Sequence, residues 1–268
     1  MRKHGPAARL HHIAMNPADP PTAQQVVTVL DRTPPARPRA RGVRVLGNSR
    51  RCLRLVVAVG VVVSWGCGAS RDSSDALPGA GAVTSETRPV SEFTEIEVRG
   101  GIKLELTIGT PGTVEVTAQQ NLLAITTTNV SDRRLTVDTD RSFSSTSGIT
   151  VKVTTAEITA LVLVGGATGS AEQIVAGALN VRAEAGATLT MSGRAESLDL
   201  TATGGALLKL GDFTATNATV TLTGGGQATV GVTQAVKGSA TGGAVLTVRG
   251  HPPVLDVDAT AGAVVTNQ

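Results

Sequence analysis

Aromatic residues are almost missing from this sequence. Tyrosine is absent, Trp65 is the only tryptophan, and Phe93, Phe143 and Phe213 are the only phenylalanines. A core made without rings has to use Ala, Val, Leu and Thr, and it has to be thin and regular, because small side chains bury little area each. Its stability then rests on repeated contacts and on strand hydrogen bonding. Cysteine is equally scarce: Cys52 and Cys67 are the only two. The chain beyond Cys67 has no thiol pair, which excludes a disulfide framework, a cysteine metal site and a thiol nucleophile there. His251, in the turn-like "GHPPV", is the only histidine in that part. No serine motif lies beside it, so no catalytic triad can be assembled.

Basic charge is missing where the overall balance suggests it. Residues 1–66 carry 11 Lys and Arg against 2 Asp and Glu, a balance of +9, whereas residues 67–268 carry 13 against 19, a balance of −6. The acidic remainder has no basic run, which argues against nucleic acid as a partner.

The basic excess belongs to a leader. Arg50-Arg51-Cys52-Leu53-Arg54 precedes the apolar run Leu55 to Val63, and "SWGCGAS" follows from Ser64. A positive segment, a short apolar segment and small residues before a cut describe an export signal, and the run is too short for a comfortable membrane span. Gly66-Cys67 resembles a bacterial lipobox, with Ser64 and Trp65 in place of the usual residues. Cys67 is therefore the expected lipidation site, which anchors the protein to the outer face of the cell membrane; secretion without an anchor is the alternative. Residues 1–42 are rich in Pro and Arg without apolar periodicity, and translation is expected to begin near Val43 or Val45. The resulting division is a disordered extension and signal peptide over 1–66, a flexible tether over 67–89, and one domain over 90–268.

That domain repeats itself. Glycines close Gly-Gly or Ala-Gly corners at Gly166, Gly186, Gly205, Gly225, Gly243 and Gly262, with steps of 20, 19, 20, 18 and 19 residues. Before each corner, alternate positions form the columns Leu179, Leu198, Ala218, Val236, Leu255 and Val181, Leu200, Val220, Gly238, Val257. After it come a small column (Ala187, Ala206, Gly226, Ala244, Ala263) and an apolar one (Leu189, Leu208, Ala228, Leu246, Val265). Alternation with period two on both sides of a repeated corner predicts stacked coils of short strands, each parallel to its copy in the next coil. The expected fold is all-β, a right-handed parallel β-helix of coils about 19 residues long. A six-residue apolar repeat, which a left-handed helix needs, is not found. An ordinary sandwich is the competing fold. The strand-like runs between Phe93 and Thr159 read as irregular opening coils that cap the first end.

Phe93-x-x-Ile96-x-Val98-x-Gly100, "VEVTAQQNLLAI" from Val114, "RLTVDT" and "ITVKVTTAEITALVLVGGA" resemble the putative auto-transporter adhesin head GIN domain family, as do the strand-Gly-Ala corners that follow. The resemblance runs from about Phe93 to the C-terminus. It implies a right-handed β-helix in an exported bacterial protein, often a lipoprotein, and says little about activity. Corners here read Thr-Gly-Gly-Ala where the family commonly has Ser-Gly-Ala.

The Gly-Gly corners are not expected to cradle phosphate, because a strand rather than a helix N-terminus follows each. Calcium is not expected either, since no corner carries Asp at the required offset. Asp138/Asp140 and Asp256/Asp258 are paired carboxylates, but Val137 and Val257 take the alternating inward slots, which leaves the acids on a solvated face. Thr201, Thr203, Thr221, Thr223 and Thr241 recur on successive coils as a Thr face, the candidate binding surface. Such a ladder is similar to an ice-binding face, although Arg182, Glu184 and Asp258 interrupt it. No catalytic residue, cofactor or metal is expected. The expectation is a non-enzymatic, lipid-anchored envelope protein with a binding, adhesion or structural role and an envelope protein or glycan as its partner. A carbohydrate-active β-helix enzyme is the alternative, and end-to-end self-association through the edge near Val264 and Val265 is a further expectation.

Overall fold

The computed structural model describes residues 75–110 and 113–268. Cys67, the leader and the first part of the expected tether lie outside them. The described chain is nearly all β and forms a β-solenoid. Its first strands are β1 (Leu77–Pro78), β2 (Val83–Arg88), β3 (Glu95–Arg99), β4 (Ile102–Ile108) and β5 (Thr113–Gln119). A single helical turn, α1 (Gln120–Leu123), leads into β6 (Thr126–Ser131), β7 (Arg134–Thr139), β8 (Phe143–Ser144) and β9 (Ile149–Thr155). The repeating part holds β10 (Ala160–Val164), β11 (Thr168–Glu184), β12 (Thr188–Thr203), β13 (Leu207–Thr223) and β14 (Gln227–Thr241). It closes with β15 (Val245–Arg249), β16 (Val254–Thr260) and β17 (Val264–Asn267).

β11 to β14 are long because each bends without breaking. Register shifts fall between Ala171 and Ile174, Thr190 and Ser192, and Leu210 and Thr214. These irregularities turn one continuous strand from one wall of the solenoid to the other. The C-terminal halves of β11 to β14 stack with β16 and β10 in one wall, and their N-terminal halves stack with β4, β15 and β17 in the other. Every pairing in this part is parallel, and away from the bends the columns stay in register. Leu179, Leu198, Ala218 and Val236 lie one above the other, and so do Leu189, Leu208, Ala228 and Leu246. All eight are buried. The same columns lose their cover on the last coil, where Leu255 is 38% exposed and Val265 only half-buried.

The corners have one geometry throughout. Their first residues (Gly165, Ala185, Gly204, Gly224, Gly242, Ala261) and their second residues all have positive φ, the second between 74° and 78°. Two successive left-handed residues describe a type I′ turn. Ala187, Ala206 and Gly226 close it by donating their N–H groups to Glu184, Thr203 and Thr223 O. The N–H of the second corner residue donates to the neighbouring coil, as from Gly186 to Gly204 O at 3.0 Å and from Gly205 to Gly224 O at 3.1 Å. These amides are committed to stacking, so the corners offer no anion cradle. Ala185 holds φ 51° in a place where most corners use glycine. A left-handed L-residue costs about 1–2 kcal/mol, partly offset by the lower chain entropy of alanine. Ala185→Gly is therefore expected to raise the denaturation midpoint slightly, by about 0.5 kcal/mol.

The irregular N-terminal strands expected as a cap close the first end of the solenoid. β3 and β4 form a regular coil around Gly100, whose backbone lies beneath Gly165 in the corner column. The next parallel layer in the chain, β7 with β9, does not stack above it. β7 pairs with β3, and β9 with β4, on the side away from β10 and β11. The coil of β3 and β4 is thus sandwiched between a later layer on each side. The end is closed by antiparallel strands, β6 on β7 and β5 on β9.

The flexible tether expected over 67–89 is corrected in its second half. Val83–Arg88 is strand β2, paired antiparallel with β5 from Val83↔Gln119 to Arg88↔Val114. Its side chains are mostly exposed, so the pairing rests on the backbone ladder and on Arg88. The Arg88 guanidinium donates to Thr126 O at 2.5 Å and to Leu123 O at 2.9 Å, which ties β2 to the α1–β6 junction. Arg88→Ala removes both bonds and is expected to cost about 2 kcal/mol, with hydrogen exchange accelerating in β2 and β5 before the rest of the domain.

Candidate functional site

The outer face of the wall that contains β10 carries most of the polar chemistry. In-register pairing arranges it as a grid. One row reads Arg134, Glu95, Ala160, Asn180, Asp199, Thr219, Lys237 and Asp256. The next reads Thr136, Glu97, Val162, Arg182, Thr201, Thr221, Ser239 and Asp258. Alternation along each strand sends these side chains outward, while Leu161, Leu163, Val181 and Leu200 point into the core.

β10 is the exception in composition. Ala160, Val162 and Val164 give it an apolar outer side, half-buried, between two charged strands. This makes an open groove of about 790 Å³ with β10 as its floor. One wall carries Glu95, Glu97, Arg99 and Arg134, and the other Asn180, Arg182 and Glu184. Strand spacing sets the distance between the walls at about 10 Å, and five residues set the length at about 16 Å. Arg134 holds Glu95 with two nitrogens, at 2.7 and 2.9 Å. That hydrogen bond, and then the carboxylate's charge, raise the Arg134 pKa above its ordinary value. Glu97 is nearly buried; Arg99 contacts it at 2.5 Å and Arg134 at 3.7 Å. Arg182 pairs with Glu184 along the opposite wall. Exposed ion pairs of this kind contribute little to stability, about 0–1 kcal/mol each. Their consequence here is geometric: they fix two charged rails beside an apolar strip.

The Thr residues expected to form a binding surface continue this face. Thr201 lies beside Arg182 and Thr221, Thr203 beside Glu184 and Thr223, and Thr241 beside Thr260. Thr221 is exposed and the other four are half-buried. Asp256 and Asp258 lie on the same face at its far end, both exposed. Asp138 is half-buried and accepts a 2.7 Å bond from the Thr139 N–H, and Asp140 is exposed. His251 is exposed in a turn, with φ 50°. Cys67 lies outside the described residues. Among those residues no group of three His, Cys, Asp or Glu is placed to hold a metal ion.

The groove was not among the sequence's candidates, although a signal for it exists. Residues 160–164, "ALVLV", form a strand with apolar residues at consecutive positions, in a chain whose other strands alternate. A strand apolar on both sides has its second side either covered by protein or free to bind.

The sequence from residue 92 to 252 matches the family described as "Putative auto-transporter adhesin, head GIN domain". The chain belongs to this family. The head GIN domain thus spans both groove walls, the Thr residues and all but the last coil. No curated protein matches the chain. Among solved structures, one described as a putative adhesin from Bacteroides fragilis NCTC 9343 superposes with a TM-score of 0.58 at 14% identity, covering 72% of this chain and 100% of that one. Another described as a putative adhesin, from Parabacteroides merdae ATCC 43184, has 18% identity and a TM-score of 0.48, with 72% and 99% covered. One described as a putative lipid binding protein, from Parabacteroides distasonis ATCC 8503, has 14% identity and a TM-score of 0.45, with 72% and 99% covered. The Bacteroides fragilis likeness, at 14% identity, supports the fold of the head GIN domain and nothing about its ligand.

Proposed function

We propose that this chain is a lipid-anchored cell-envelope protein that binds without catalysing a reaction, tethered through Cys67 and holding an envelope protein or glycan along the β10 groove and the adjoining Thr face. The groove carries the reading. It is an apolar strip flanked by donors and acceptors fixed in place, which suits recognition. Each of its four carboxylate-guanidinium contacts engages the acid already, an arrangement for positioning rather than proton transfer. The leader before Cys67 and the membership of an adhesin-head family support an exported location. Among the described residues no helix is long and apolar enough to cross a membrane.

Val162→Asp with Val164→Asp places two charges on the groove floor. Both side chains point outward, so the fold is expected to survive. Binding of the purified protein to isolated envelopes is expected to weaken by at least about tenfold, or about 1.4 kcal/mol. Unchanged binding by this variant would move the site elsewhere, and turnover of a cell-wall or plant polysaccharide by the wild-type protein would replace the reading with an enzymatic one. For the anchor, Cys67→Ala is expected to shift the processed protein from the membrane to the soluble fraction. Retention on the membrane after signal cleavage would contradict lipidation.

A further inference from the structure

Among the described residues, nothing covers the outer edge of β16 and β17. There β16 pairs only with β14, and β17 only with β15. Val254, Leu255 and Val264 are 42%, 38% and 44% exposed, three of the five large hydrophobic residues exposed on the described chain. Leu255 and half-buried Val257 continue columns that are largely buried in the preceding coils, so their exposure comes from the lack of a further layer among the described residues. Asn267 Oδ1, in register with the inward Val248, is buried and has no hydrogen-bond partner. The opposite end, by contrast, is closed by antiparallel strands.

The outward residues of this edge are acidic. Asp256 and Asp258 make no salt bridge among the described residues, although Lys237 is the register neighbour of Asp256. A second copy docked edge to edge through β16 would bring four carboxylates together, and like charges opposite one another in a sheet repel. The other end of the same wall shows what satisfies an acidic strand. Arg134, in register with Glu95 on the adjacent strand, reaches it at 2.7 Å.

We infer that β16 is an acceptor edge for an extended segment of a basic partner, which adds as a further strand with apolar residues over Leu255 and Val257 and Lys or Arg beside Asp256 and Asp258. Backbone hydrogen bonds supply the general affinity, and the alternate side chains supply the selection. This edge is separate from the β10 groove and does not depend on the function proposed for it.

The test uses two labelled peptides, TVKVKVT and TVEVEVT, titrated against the mature protein by fluorescence anisotropy. The basic peptide is expected to bind at least about tenfold tighter than the acidic one, with the preference falling as salt rises. Asp256→Lys with Asp258→Lys is expected to reverse the preference while leaving the thermal transition unchanged, because both side chains are exposed. Equal binding of the two peptides, binding of neither, or no reversal in the variant would overturn the inference. So would a dimer that sedimentation shows to exclude the basic peptide.

Discussion

Gly238→Val is expected to be one of the most damaging single substitutions in the domain, although it gives that coil the residue its neighbours carry. The column reads Val181, Leu200, Val220, Gly238 and Val257, so the glycine looks like a gap to be filled. The backbone says otherwise. Gly238 has φ +137°, and a Cβ there would lie 1.9 Å from Val220 O and 2.9 Å from Val220 N. A side chain would push into the peptide of the coil below, in the middle of the ladder that joins β13 to β14. Left-handed strain alone costs about 1–3 kcal/mol, and the clash adds to it, so the expected loss is about 3 kcal/mol or more. Against a typical total of about 5–15 kcal/mol this threatens folding itself. Gly243→Ala serves as the control, because φ there is +74° but no atom lies within 4 Å of the added Cβ. It carries the strain without the clash and is expected to cost about 1–2 kcal/mol. Denaturation midpoints for the two variants check the contrast, and a Gly238→Val protein as stable as the wild type would show that the coils can separate there.

Phe213→Ala is the second large loss. Phe213 is fully buried and heads the largest side chains in the core. It sits at the bend of β13, in register with Gly193. Apart from Phe93, just before β3, the buried core is aliphatic and small, so no nearby ring can swing in to fill the hole. Truncation is expected to cost about 3–5 kcal/mol. Because solenoid coils depend on their nearest neighbours, hydrogen exchange should accelerate first in β12, β13 and β14. Phe143→Ala, at a half-buried position in β8, should be much milder.

The parts of this fold that were legible in the sequence are those governed by simple periodicity. Stacked columns such as Leu179 over Leu198, and corners closed by Gly186 and Gly205, follow from alternation and from the backbone freedom of glycine. Three features were hidden for physical reasons. β2 has no apolar period because both its sides face outward, and it is held by backbone bonds and Arg88. The placement of β7 and β9 outside the β3–β4 coil reverses the order along the chain, and nothing in local pattern encodes which side of a coil a later strand covers. Gly238 obeys the column spacing while its φ departs from it. The groove differs from these, since Val162 and Val164 are visible in the sequence as apolar residues on the polar side of a strand.

The central claim is that this domain binds through the outer side of β10. It is tested most directly by placing a photo-crosslinking residue at position 162 of the anchored protein in its native envelope, with position 175 as the control. Val175 is 58% exposed and belongs to a different segment of the coil, so both sites are accessible. The expected result is a discrete crosslinked species from position 162 that is absent from position 175 and lost when Val164→Asp is added. Silence at position 162, or the same products from both positions, would contradict a binding site in the groove.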